Sequence, residues 1–239
     1  LIYCSGKYIA ININKAIRYL TLAANQNVSK AQLLLGKIYY TGELVTKDIN
    51  KSIYYLTLAS YQNDDEANAI LGLYYYETDI KKDIDKSIYY FTLASNQNNA
   101  MAQFGLGSIY LSDYSVKQDI NKSIYYFTLA SNQNNKDAQY NLGLLYFHGK
   151  NIKIDIEKSI HYFTLASNQN DMKSQFLLGL IYYNGYHVKQ DITKSIYYFS
   201  LASDQNFAEA HFILSKIYFN GESVKRDIKK SIHYFLLAS

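Results

Sequence analysis

Five histidines (His148, His161, His187, His211 and His233) and a single cysteine, Cys4, carry the softest donor chemistry in this 239-residue chain. A metal site would need them at ligand spacing, such as two histidines one helical turn apart. No such pair occurs, and Cys4 lies far from all five in sequence. The stretch GLGS at 105–108 looks at first like a phosphate loop, but it sits inside an apolar helical pattern and reads as a helix-packing element. Aspartate and lysine are the remaining candidates for acid–base work, and they recur at fixed intervals along the whole chain. A catalytic site needs its residues once, so this recurrence argues for architecture. Neither an enzyme activity, a metal nor a cofactor is expected.

Composition narrows the field further. The formal net charge of +4, from 24 basic and 20 acidic residues, is too mild to specify a nucleic-acid partner. A lone cysteine forms no internal disulfide, so a reducing, intracellular and by default cytoplasmic setting is expected. No apolar run approaches the ~18–20 residues of a membrane span. Hydrophobic residues make up 49% of the chain, and 27 tyrosines stand beside no proline and no tryptophan. That is ample material for a buried core.

The elements that position these residues follow from an internal repeat. Asn12, Asp48, Asp83, Asp119, Asp155, Asp191 and Asp227 are spaced by 35 or 36 residues. Three residues after each comes Lys15, Lys51, Lys86, Lys122, Lys158, Lys194 or Lys230, then a segment of the type SIYYFTLAS that closes on an asparagine such as Asn134 or Asn170. This predicts a helix, here helix B, because aspartate caps a helix N-terminus and asparagine tolerates the left-handed conformation that ends one. The intervening segment, such as AQYNLGLLYFHG at 138–149, carries apolar residues at helical spacing and ends in glycine, which predicts helix A. Gly143 removes a side chain where another helix can approach closely. Each repeat is then an antiparallel helix pair that buries its apolar faces only against neighbouring repeats.

The pattern carried by Ala31, Leu35, Gly36, Tyr39, Gly42, Val45, Asp48, Lys51, Ser52, Tyr55, Ala59 and Ser60 closely resembles the Sel-1-like repeat, a branch of the tetratricopeptide superfamily. Seven registers cover essentially all of residues 1–239 as a single array, six complete-looking helix pairs preceded by a partial one, as in a piece of a longer chain with flanking domains. Departures from the family pattern include asparagine for its closing glycine, tyrosine for its helix B tryptophan, Leu44, Ser115, Asn151, His187 and Ser223 for its second loop glycine, and Ser215 for the helical glycine. The resemblance implies an all-α, right-handed superhelical solenoid without catalysis of its own. It also implies an adaptor or scaffold role in which helix A lines the concave side.

Comparison of the copies separates constant from variable positions. Helix B hardly changes, so it carries little information for a specific partner. Helix A varies along one face, at i, i+4, i+7 and i+11 spacing. The partner-reading candidates on that face are Lys37 and Thr41; Leu73 and Glu77; Ser108 and Ser112; Asn141, Leu144 and His148; Leu177, Leu180 and Asn184; and Lys216 and Asn220. Leu144 and Leu180 are expected to face solvent at its centre. A peptide-reading groove and drift on a solvated face both fit this pattern. A second feature is the row Arg18, Tyr54, Tyr89, Tyr125, His161, Tyr197 and His233, whose chemistry implies exposure and which, with Leu58 and its equivalents, forms either an outer stripe or B–B packing. A third is the basic ladder of Lys81, Lys82, Lys86, Lys117, Lys122, Lys153, Lys158, Lys189, Lys194, Lys225, Arg226 and Lys230, which either attracts acidic groups or forms a solvated face. The reading favoured is a non-catalytic scaffold binding a protein or peptide through helix A. The alternatives are a helical-repeat RNA reader and a structural spacer.

Overall fold

Aspartate opens and asparagine closes the B helices, and these two residue types mark out the secondary structure. The structure, a computed structural model, describes residues 12–77, 83–112, 116–149, 152–221 and 224–238. Among them are thirteen helices and no strand. The A helices are α2 (Ser29–Thr41), α4 (Asp65–Glu77), α6 (Ala100–Ser112), α8 (Lys136–His148), α10 (Met172–Asn184) and α12 (Ala208–Asn220). The B helices are α1 (Ile13–Asn25), α3 (Ile49–Ser60), α5 (Ile84–Asn96), α7 (Ile120–Asn132), α9 (Ile156–Ser167), α11 (Ile192–Ser203) and α13 (Ile228–Leu237). The chain divides into two compact units, Leu1–Ala130 and Ser131–Ser239. None of the described helices is long and apolar enough to cross a membrane.

Each A–B connection is tied at two points. The Asp48 carboxylate accepts the Lys51 N–H at 3.0 Å, while the Asp48 N–H donates to the Tyr39 carbonyl of the preceding A helix at 3.1 Å. Asp155 repeats this with Lys158 and Tyr146, and Asp227 with Lys230 and Tyr218. One residue therefore satisfies an orphan donor of helix B and fixes where helix B starts relative to helix A. The left-handed residues stand where the sequence places them. Gly42, Gly149, Gly185 and Gly221 follow the A helices at φ between 63° and 72°, and Asn27, Asn63, Asn98, Asn134, Asn170 and Asn206 follow the B helices at φ between 58° and 65°.

Pair packing rests on the helix A glycine. A Cβ on Gly107 or Gly179 would stand 2.5 Å from the ring of Phe127 or Phe199, and Gly143 meets Phe163 as closely. The glycine also leaves its carbonyl open to the B helix serine: Ser52 Oγ donates to Gly36 O at 2.9 Å, Ser87 to Gly72 at 2.8 Å and Ser159 to Gly143 at 2.9 Å. Phe91, Phe127, Phe163 and Phe199 are at most 1% exposed. In the first unit Phe91 shares its core with Ala69 of its own A helix and with Ala102, Leu106 and Ile109 of the next. In the second, Phe199 lies with Leu214 and Ile217 of the A helix that follows it and with Phe176 and Tyr183 of its own. A B helix thus packs on two A helices, as expected of stacked pairs.

The left-handed asparagine gives a direct check. Asn170→Ala should destabilise the chain by about 1–2 kcal/mol in urea unfolding, because a Cβ without a local hydrogen-bonding side chain strains this conformation. Asn170→Gly should be neutral or mildly stabilising.

Candidate functional site

On the variable A-helix face the candidates fall into two groups. Thr41, Glu77, His148, Asn184, Lys216 and Asn220 are exposed. Lys37, Leu73, Ser108, Asn141, Leu144, Leu177 and Leu180 are half-buried, and the side chain of Ser112 lies outside the described residues. Lys37 forms an ion pair with Glu66 of the next A helix. Leu73, Leu144, Leu177 and Leu180 pack against buried core clusters, which corrects the expectation that Leu144 and Leu180 face solvent. Helical periodicity assigned them to the right stripe, but the neighbouring helices cover the part of the stripe near its middle. The carboxamides of Asn141 and Asn184 donate to carbonyls on their own helices, Asp137 O at 2.8 Å and Leu180 O at 3.1 Å. Exposure is concentrated at the last residue of five of the six A helices: Thr41, Glu77, His148, Asn184 and Asn220.

The outer row has the expected exposure. Tyr54, Tyr89, Tyr125 and Tyr197 are each 59% exposed, and Arg18, His161 and His233 are also exposed, whereas Leu58, Leu93, Leu129, Leu165 and Leu201 are half-buried. Each of these four tyrosines stands edge-on, at 5.1 Å, to the constant tyrosine that follows it. That second ring lies within 7° of parallel to a helix A tyrosine, at 5.7–6.2 Å, in Tyr39–Tyr55, Tyr75–Tyr90, Tyr110–Tyr126, Tyr146–Tyr162, Tyr182–Tyr198 and Tyr218–Tyr234. The apolar material of the row therefore belongs in part to helix pairing.

The same stacks account for part of the basic ladder. Lys51, Lys86, Lys122, Lys158, Lys194 and Lys230 place their ammonium groups 4.8–5.2 Å from the centroids of the helix A tyrosines. Four of them also pair with the capping aspartate, as in Lys86–Asp83 at 2.9 Å. These lysines serve as lids on aromatic pairs, their ammonium groups drawn to the ring faces. Lys81 and Lys82 lie outside the described residues.

One polar system escaped the sequence reading. Gln62 donates to Gln32 at 2.7 Å, Gln169 to Gln139 at 2.8 Å and Gln205 to Gln175 at 2.8 Å, each joining the end of a B helix to the A helix of its own repeat. Gln32 also donates to Ala24 O at 3.1 Å and Gln175 to Ser167 O at 3.3 Å. The signal was present as a glutamine before every closing asparagine from Gln26 to Gln205, matched by Gln32, Gln103, Gln139 and Gln175 in helix A. At that helix A position the last repeat carries His211, buried with its ring nitrogens 3.1 Å from the carbonyls of Ser203 and Leu237. Among the described residues no three His, Cys, Asp or Glu side chains converge.

The caps set an acid limit. The backbone N–H bonds from Lys51, Lys86 and Lys158 hold the carboxyls of Asp48, Asp83 and Asp155 below the ordinary carboxylate range. A depressed folded pKa gives stability that is complete above the unfolded value, near pH 4, and is lost as pH falls through the folded one. Helical circular dichroism followed from pH 6 to pH 2 should therefore fall below about pH 4. Asp155→Asn, which copies the natural Asn12 cap, should make stability less dependent on pH in that window.

Comparison with known proteins agrees with this geometry. The Sel1 repeat profile matches residues 1–28, 29–64, 65–99, 100–135, 136–171, 173–207 and 208–239. A protective antigen of uropathogenic Escherichia coli strains superimposes with a TM-score of 0.94 at 25% identity, over 99% of this chain and 51% of that one, so the chain spans about half its length. A Sel1 repeat protein from Oxalobacter formigenes gives a TM-score of 0.81 at 28% identity, over 99% of this chain and 69% of that one. A putative Sel1 repeat protein from Klebsiella pneumoniae shares the fold at 18% identity, with a TM-score of 0.54 over 83% of this chain and 97% of that one. No curated protein matches the chain. The fold is a tetratricopeptide-like solenoid of helix pairs, of a type that serves generally as a non-catalytic protein-interaction scaffold. With seven repeats matched from end to end, the chain belongs to the Sel1 repeat family.

Proposed function

We propose that this chain is a scaffold that reads a peptide or protein partner through the variable face of its A helices, and that the specific contacts come from the exposed ends of those helices. One observation carries this reading. Thr41, Glu77, His148, Asn184 and Asn220 occupy one position of the repeat, exposed at the last turn of an A helix, yet carry four different residue types in five copies, asparagine recurring in the last two. A constant frame presenting a changing side chain is what specific recognition by a repeat protein needs. The half-buried Leu144, Leu177 and Leu180 supply apolar floor beside these ends. The B-helix lysines of the basic ladder, such as Lys158 and Lys194, are engaged with tyrosine rings and aspartates within their own repeats.

The test is selection of peptides from a displayed random library on the intact chain, followed by titration of variants. His148→Glu combined with Asn184→Glu should weaken a selected peptide by tenfold or more, since a central contact is typically worth about 1–2 kcal/mol. The melting temperature should hold within a few degrees, because both positions are exposed. Tyr197→Arg, which copies the natural Arg18 on the outer row, should leave binding unchanged. Loss of binding in Tyr197→Arg alone would move the reading face to the outer row.

A further inference from the structure

In the second unit His148, Asn184 and Asn220 each end an A helix, and the chain turns there at a left-handed glycine. The loop that follows folds back on that glycine. A Cβ on Gly149 would stand 3.0 Å from Ile154 N and 3.2 Å from Ile152 O, and one on Gly185 would stand 3.2 Å from both Val188 O and Gln190 N. Gln190 also donates to Tyr183 O at 2.7 Å. Lys153 and Lys189 lie between these anchoring residues, so each is held beside the end of its own A helix, and both are exposed. Lys225, also exposed, precedes Arg226, whose N lies 2.9 Å from a Cβ built on Gly221.

These are not the lysines of the B helices. Lys158, Lys194 and Lys230 recur because each covers a tyrosine ring. Lys153, Lys189 and Lys225 stand two residues before the capping aspartate, a position that is lysine in five successive copies from Lys81 onward. Among the described residues none of the three forms an ion pair or covers a ring; Lys153 acts on the Asp155 carboxyl only from a distance. Residues 150–158, 186–194 and 222–230 hold nine basic and five acidic side chains, an excess of four that equals the net charge of the whole chain. The other acids of this unit, Asp137, Asp171, Asp204 and Glu209, belong to the opposite ends of the helix pairs.

We propose that the partner read at these helix ends is an acidic peptide segment, whose carboxylates pair with Lys153, Lys189 and Lys225 while its other side chains meet His148, Asn184 and Asn220. The assignment rests on the A-helix ends being the reading face. One cation per repeat, set beside a side chain that changes, suits discrete carboxylates and gives electrostatic complementarity to an acidic partner. A nucleic acid carries a phosphate at every nucleotide and would meet Asp155, Glu157, Asp191 and Asp227 between the lysines. The competing account is structural: a lysine near the C-terminal end of an A helix complements the helix dipole.

Peptides selected from a displayed random library on the intact chain test this. They should be enriched in aspartate and glutamate, and a selected peptide should weaken tenfold or more when its acids are changed to amides. Its binding should also weaken as salt is raised from about 0.05 to 0.5 M. Lys153→Gln with Lys189→Gln should weaken the acidic peptide at least threefold, as expected of exposed ion pairs, and leave its amide version unaffected. Lys173→Gln, which removes an exposed cation from the other end of α10, should change neither. Peptides without acidic enrichment would overturn the proposal and leave the A-helix reading standing. So would an equal loss for both peptide versions in the double variant together with a lower melting temperature, which would reduce the lysines to complements of the helix dipole. A single-stranded oligouridine that binds more tightly than the selected peptide would overturn it in favour of nucleic acid. Failure to select any peptide would remove the A-helix reading itself, and this proposal with it.

Discussion

The whole arrangement depends on how closely helix B approaches helix A. At Gly72, Gly107, Gly143 and Gly179 the absence of a side chain admits a phenylalanine ring to a place where a Cβ would collide with it. That approach puts the B-helix serine within reach of the glycine carbonyl, as Ser159 reaches Gly143. It also brings the helix A tyrosine parallel to the helix B tyrosine, with a lysine over the pair. Leu56 takes the ring's place against Gly36, and Ser215 takes the glycine's place in the last repeat, so each partner departs from the pattern once.

Neighbouring repeats are then joined by two kinds of contact. The apolar one is the phenylalanine held between successive A helices, worth about 1.5–3 kcal/mol for each ring buried. The polar one is the buried helix A glutamine, whose amide donates to the end of the preceding B helix, as Gln175 does to Ser167 O, while its own oxygen accepts from the glutamine that closes its repeat, instead of being stranded. Because these contacts repeat, the B helix is nearly invariant and has little freedom to encode a partner. The exposed ends of the A helices lie outside both systems, and they are where the copies diverge.

Much of this was legible in the sequence because it is local. The Asp155 cap, the left-handed Asn170 and the glycine after each A helix each follow from one residue's own conformational preference. The close contact at Gly143 was legible because the glycine stands inside an otherwise apolar helix. Two things were not. The depth of Leu144 and Leu180 is set by neighbouring helices, and the hydrophobic period of one helix reports direction but not cover. The Gln139–Gln169 pair spans 30 residues and depends on how helix B registers on helix A within the repeat. The same limit applies to the lysines, which look like a basic ladder until the rings beneath them are known.

The central claim is best tested by a double-mutant cycle on Gly143 and Phe163, read by urea unfolding. Gly143→Ala should cost about 1–3 kcal/mol in the wild-type background through overpacking against the ring. In a Phe163→Ala background that cost should vanish or turn into a gain of up to about 1 kcal/mol, since alanine is the better helix former once the ring is gone. Equal costs in both backgrounds, or a stabilising Gly143→Ala in the wild type, would show that the close approach does not govern the pair.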